Sequence, residues 1–238
     1  MTAGIEFDAR DGVLEVTLDR PPGNLWDATM LEAAMQRLGA AASEPDLLAI
    51  RLRARGEAFC LGRERGAREP PELRAEARRL ADTLHVWTNT PLLTLAEVHG
   101  DAAGFGANLA GLADVAIAAD TARLSFPEIR GGLAPTLVLS WLPTYVGYKR
   151  AMQLVTTGQA IDAATACSMG LLTRVVPLPA LAGAVEDLLA TWREFDRQAL
   201  REIKRFVVST RYWPPDRAAN VAADALALSA LAGRGHTA

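Results

Sequence analysis

The chain has 238 residues, half of them hydrophobic, which is enough for one large core, and single α/β domains of this size are common. Its 25 Lys and Arg against 28 Asp and Glu give a net charge of -3, so there is no electrostatic case for a nucleic-acid partner or an anionic membrane surface. Cys60 and Cys167 stand far apart with no CxxC neighbour, which disfavours a disulfide framework or a zinc site; with no leader-like start and no run of 18 apolar residues, a reduced, cytoplasmic setting without membrane spanning is expected.

Residues 5 to 18 alternate around Asp11-Gly12, with Leu14, Val16 and Leu18 on one face and Glu15 and Thr17 on the other, which predicts a hairpin. After Pro21-Pro22 the period changes. Leu31, Ala34, Met35 and Leu38 fall at helical spacing, and Thr29 and Glu32 are shaped like a capping box. Leu48, Ile50 and Leu52 alternate with Arg51 and Arg53 in a strand that runs into the Gly56 to Gly62 loop. Arg63, Arg65, Arg68, Arg74, Arg78 and Arg79 then surround Pro70-Pro71, in a polar loop leading into a helix that reaches Trp87. Most of them read as a solvated helix face, with one or two available to meet ligand phosphates.

The stretch from Leu92 to Asp120 organises the rest. An apolar run, Leu92 to Val98, meets a turn broken by Gly100, Gly104 and Gly106; a small-residue helix and a second apolar run from Val115 to Ala119 follow. Such runs suit strands buried on both faces, and a glycine turn feeding a helix aims free backbone N–H groups at one point, where negative charge is stabilised. This reads as half of an oxyanion hole. Further on, Leu124 to Phe126 predicts a short strand, Pro127 to Pro135 a loop, Leu137 to Val146 one helix, and Lys149 to Thr156 another stopping at Gly158. Asp162 caps a short helix closed by Gly170, Val175-Val176 is a last strand, and Leu188, Leu189, Trp192, Phe195, Leu200, Ile203, Phe206 and Val207 suit amphipathic helices.

GFGANLAG has the spacing GxGxxxxG and lacks the acidic residue that a dinucleotide site places about 20 residues on; the chain also has neither GxxxxGKS/T nor GxSxG. Of the histidines, His85 sits in a helical pattern and His236 in the tail. His99, at a strand end, more simply satisfies backbone groups than serves a triad. Glu128, after Phe126-Pro127 in a loop rich in Gly and Pro, is the carboxylate best placed for general-base work, because an apolar wall raises its pKa.

At this point the chain resembles the enoyl-CoA hydratase/isomerase, or crotonase, superfamily. VTLDRPPGNLWDATML looks like its opening strand and helix, GEAFCLGRE like its first oxyanion loop and HGDAAGFGANLAGLADVAIAAD like its second. SFPEIRGGLAP and VGYKRAMQLVTTGQAIDAATACSMGLLTRVVP continue the pattern in order. The resemblance implies an α/β fold, a spiral of ββα repeats over residues 1–178 with a C-terminal helical trimerisation region over 179–238. It also implies an acyl-CoA substrate, with coenzyme A as part of that substrate and no separate cofactor or metal, and a homotrimer or dimer of trimers.

Carried over by position, the two backbone donors fall on Leu61, before Gly62, and on Phe105, between Gly104 and Gly106. The two catalytic glutamates of the family fall on Asn108 and Glu128, so one carboxylate is missing. Asn24, Leu25, Trp26, Phe59, Cys60 and Arg63 become expected coenzyme A neighbours. Leu137, in Thr136-Leu137-Val138-Leu139 where hydratases carry glycines, is expected to reshape the acyl site. Asn108 orients water but takes no proton near neutral pH, whereas double-bond migration needs one base, so isomerisation is the first expectation. A hydratase of altered or low activity, a decarboxylase or hydrolase using the same enolate, and a lapsed acyl-CoA-binding subunit stay open.

Overall fold

Asp11 and Gly12 both take left-handed backbone, with φ of 50° and 78°, the geometry of a two-residue hairpin turn. They join β1 (Ile5–Arg10) to β2 (Val13–Leu18) in antiparallel register, Ile5 opposite Leu18. The computed structural model describes residues 3–66 and 69–234, so Arg68 and His236 lie outside the described residues. Helix α1 (Ala28–Ala41) starts at Asp27, whose carboxylate accepts the Met30 N–H at 2.8 Å. The cap is therefore Asp27, and the capping box expected at Thr29 and Glu32 is not used.

Strand β3 (Ala49–Ala54) leads to α2 (Pro70–Asn89), which Pro70 and Pro71 open because the first helical N–H groups need no internal partner. The central stretch follows as β4 (Leu93–Val98), β5 (Ala102–Ala103), α3 (Phe105–Gly111) and β6 (Val115–Ala119), then β7 (Arg123–Ser125) and a 3₁₀ turn over Pro127–Gly131. The helix expected over 137–146 is two helices, α4 (Thr136–Leu139) and α5 (Leu142–Val146). Pro143 has no N–H to give to Leu139, and Trp141 leaves helical geometry at φ -133°. Helix α6 (Tyr148–Thr157) ends on left-handed Gly158, and β8 (Ile161–Asp162), α7 (Ala163–Ser168) and β9 (Arg174–Val176) complete the α/β part. Helices α8 (Leu181–Arg193), α9 (Arg197–Thr210) and α10 (Pro215–Arg234) form the C-terminal helical region.

The main sheet runs β1-β2-β3-β4-β6-β9 and is parallel from β2 onward. A second layer is a ladder of very short strands: Trp26 bridges Arg63, Cys60 bridges Ala102, β5 pairs with β7, and β7 pairs with β8. Successive ββα turns thus contribute one long strand to the first layer and one short strand to the second. The long strands are covered on both sides. Leu14, Val16, Ile50, Leu52, Ala96, Val98 and Ala118 face the core that holds α1 to α3, while Ala49, Leu95, Ile117 and Val176 pack under α8 and α9.

That double cover changes the reading of β2, all six of whose residues are buried. Glu15 and Thr17 do not face solvent. Glu15 accepts from Arg51 Nη1 at 2.9 Å, and Arg51, 6% exposed, also donates from Nε to Glu97 at 2.7 Å. Helix α9 is tied to the same side by the Lys204–Asp114 ion pair, with Asp114 accepting from the Thr94 N–H at 2.8 Å and hydroxyl at 3.0 Å. Burial pushes the Lys204 ammonium down and Asp114 opposes that shift. Taking Arg51 away strips the buried Glu97 carboxylate of its cation and leaves Glu15 only the longer pairs to Arg10 and Arg53, at 3.6 and 3.5 Å. Arg51→Ala should therefore lower the unfolding free energy by about 3 to 5 kcal/mol in urea titrations, and a loss below about 1 kcal/mol would show the trio to be dispensable.

Candidate active site

Two loops meet at the glycines. The Cys60 N–H donates to Asp101 O at 3.1 Å and the Ala103 N–H returns to Cys60 O at 2.8 Å, which lays the 59–64 segment along the start of α3. A methyl group on Gly106 would stand 2.2 Å from Cys60 O, and one on Gly100 would stand 2.2 Å from Glu57 O, so neither position has room for a side chain. Gly104 turns the chain with φ 51°, its N–H donating to Ser125 O at 3.0 Å. The first intrahelical acceptor of α3 is Gly104 O, which leaves the N–H of Phe105 among the orphan donors of the first turn.

On the first loop, the Leu61 N–H donates to Gly23 O at 2.8 Å. Leu61 is therefore corrected as an oxyanion donor, because its hydrogen is already spent. The Trp26 N–H donates to Gly62 O at 3.1 Å and the Glu64 N–H to Trp26 O at 2.8 Å, so the N–H of Arg63 between them faces away from Trp26. It meets no acceptor among the described residues. The sequence signal that marks it is a donor immediately after Gly62 rather than before it.

Glu128 sits on the 3₁₀ turn that Pro127 opens. Its Oε1 would lie 3.2 Å from a methyl placed on Gly104, and Gly62 Cα 4.0 Å from that same point, so carboxylate and both glycine turns converge. The second oxygen, Oε2, is buried without a hydrogen-bond partner. Burial raises the Glu128 pKa above its ordinary 4.5, opposed by the charges of Arg65 and Arg63. Arg65, whose guanidinium lies against Gly131, was not singled out from the sequence for this role.

Other expected residues scatter. Asn108, 3% exposed, does not face Glu128 with a free oxygen: Oδ1 accepts from Trp141 Nε1 at 2.7 Å and Nδ2 donates to Gly104 O at 2.9 Å. Asn24 is a loop staple, accepting from the Arg20 N–H and donating to Arg55 O and Ala58 O at 2.9 and 2.8 Å, so it has no contact to spare for coenzyme A. Phe59 and Cys60 are wholly buried in the core, with the thiol pushed up to about 12 by desolvation, and they offer no surface to a ligand. The Leu25 carbonyl accepts from Arg20 at 2.7 Å. Trp26, packed edge-on to Phe105 at 5.5 Å, and Arg63, paired with Glu76, line a cavity of about 570 Å³ between the start of α1 and α2. Leu137 lies elsewhere, in a 230 Å³ cavity with Leu84, His85 and Tyr145. His99 takes the backbone role expected of it, its Nε2 lying 2.9 Å from Gly56 O.

The chain matches the family model described as "Enoyl-CoA hydratase/isomerase" over residues 8–230. It is 33% identical over 210 residues to a probable enoyl-CoA hydratase of Mycobacterium tuberculosis, covering 85% of this chain and 79% of that one. A probable enoyl-CoA hydratase of Rhodobacter capsulatus is 38% identical over 181 residues, 73% of this chain and 68% of the relative. The crystal structure of an enoyl-CoA hydratase of Mycobacterium smegmatis superposes with a TM-score of 0.91 at 27% identity, over 95% of this chain and 90% of that one. With its glycine-flanked amides beside a half-buried carboxylate and its crotonase fold, the chain belongs to the enoyl-CoA hydratase/isomerase family of acyl-CoA enzymes.

Proposed function

We propose that the protein isomerises an enoyl-CoA thioester, moving a double bond between the β,γ and α,β positions with Glu128 as acid/base. The observation that carries this reading is the Glu128 carboxylate beside Gly104, one oxygen unpartnered, while Asn108 is held at both ends of its amide. In this scheme the N–H groups of Arg63 and Phe105 receive the thioester oxygen. Glu128 takes a proton from the α-carbon, the electron pair delocalises onto that oxygen as a dienolate, and the same carboxyl returns the proton to the γ-carbon. Nothing is gained or lost overall, so one base suffices. Each N–H donor to the developing charge is worth about 3 to 4 kcal/mol of barrier.

The cavity of about 570 Å³ at Trp26 and Arg63 adjoins the first loop and suits part of the acyl-pantetheine chain. Hydration is the second reading, favoured by the names of the relatives; it needs a second group to handle the water proton, which an amide does not do. Incorporation of ¹⁸O from labelled water into product separates the two. The exposed Phe195, Ile203, Val207 and Tyr212 around α9 support assembly into trimers, and the two free cysteines support a cytoplasmic setting.

Glu128→Gln should cut turnover of 3-hexenoyl-CoA by roughly 100-fold to 10,000-fold while the affinity for the thioester, read by calorimetry, stays within about threefold. Turnover unchanged by this substitution rejects Glu128 as the base. The same variant carries a stability signature. Because the folded pKa is raised, the folded protein holds this proton more tightly than the unfolded chain does, and stability falls as pH rises from 4.5 through the folded pKa. Glu128→Gln should therefore melt at a higher temperature than the parent at about pH 8, the gap closing as pH falls below 4.5; equal melting temperatures at both pH values would show that the carboxylate is not desolvated.

A further inference from the structure

Gly104 O and the Phe105 N–H belong to one peptide plane, so whatever grips the oxygen aims the hydrogen the opposite way. Two donors grip it, both from Asn108: the backbone N–H at 3.0 Å and the side-chain Nδ2 at 2.9 Å. The Asn108 side chain is itself oriented by Trp141, whose indole N–H donates to Oδ1 at 2.7 Å. Trp141 is 5% exposed and seated firmly. It packs edge-on to Phe126 at 6.2 Å and to Tyr145 at 5.4 Å, and its ring edge would lie 2.8 Å from a methyl on Gly111.

We infer that Asn108 and Trp141 are positioning residues, forming a relay Trp141–Asn108–Gly104 that locks the peptide carrying the Phe105 N–H toward the thioester oxygen. The inference rests on the oxyanion reading above and deepens it. An asparagine suits the relay because it presents an acceptor to the indole and a donor to the carbonyl. A carboxylate would accept from Trp141 but set two acceptors against each other at Gly104 O, so the amide here is a functional choice of polarity rather than a damaged acid. Through Phe126, the same indole abuts the strand end that delivers Pro127 and Glu128, so base and amide are set by one ring.

The test uses the intact protein with Trp141→Phe, Asn108→Leu and Asn108→Asp, each checked for folding by circular dichroism. The probe is 2-butenoyl-CoA labelled with ¹³C at the thioester carbonyl, read by isotope-edited infrared spectroscopy in a Glu128→Gln background so that it is not consumed. The parent should lower the carbonyl stretch on binding, and Trp141→Phe and Asn108→Leu should return at least about half of that shift with the dissociation constant within about threefold. In the Glu128 background, kcat on 3-hexenoyl-CoA should fall by about 10-fold to 100-fold with KM within about twofold, as expected when a charge-stabilising group is misaimed. A carbonyl band and kcat unmoved in the folded variants overturn the relay and leave the oxyanion reading standing. A parent that binds the probe without lowering its carbonyl stretch overturns both. Trp141→Phe keeps an aromatic side chain but loses the fused five-membered ring along with the donor; if the Asn108 variants fail to fold, it decides when its circular dichroism and melting temperature match the parent's.

Discussion

The structure depends on one close approach, the backbone of the Cys60 segment lying against the start of α3 with nothing between them. Two reciprocal hydrogen bonds hold the pair, and Gly106 and Gly100 are the positions where any Cβ would collide with a carbonyl oxygen. This is a contact between main chains, so it transmits geometry without depending on which side chains decorate it. Phe105 can be bulky because the group the proposed mechanism uses there is its peptide N–H and not its side chain. The positive φ of Gly104 then turns the chain so that the first turn of α3 opens toward Glu128.

Holding two loops at this distance needs a rigid frame behind them. The central strands provide it by being covered on both faces, with β6 wholly apolar and Glu15 of β2, Arg51 of β3 and Glu97 of β4 gathered into one trio. Such a trio adds little to net stability compared with apolar packing, yet it fixes the register of three neighbouring strands. The short-strand ladder running from Trp26 through Cys60 and Ala102 to Leu124 is positioned by that frame, and the functional loops are its members.

Much of this was legible in the sequence where local physics decides. The hairpin followed from Asp11-Gly12, the paired strands from the runs at Leu92 and Val115, and the convergence of Gly104 with Glu128 from a glycine turn and a proline-led loop in a recognisable order. What was not legible depended on long-range pairing. Whether Leu61 or Arg63 presents its N–H is set by Gly23 and Trp26, some 40 residues earlier, and no spacing within GEAFCLGRE records it. Asn24 reads as a ligand neighbour only until its partners at Arg55 and Ala58 are known. Trp141 was unremarked because its partner Asn108 lies 33 residues away and the helix expected there breaks at Pro143.

The burial of Cys60 has a chemical consequence of its own. A 2-enoyl thioester is an electrophile at its β-carbon, and a thiolate able to reach it would add there. Desolvation pushes this thiol up to about 12, so it keeps its hydrogen near neutral pH, aimed at the Gly62 carbonyl oxygen 3.5 Å from the sulfur. Cys60 thus stays sealed in the core behind the site proposed for an enoyl thioester, where an electrophile bound in that site does not reach it.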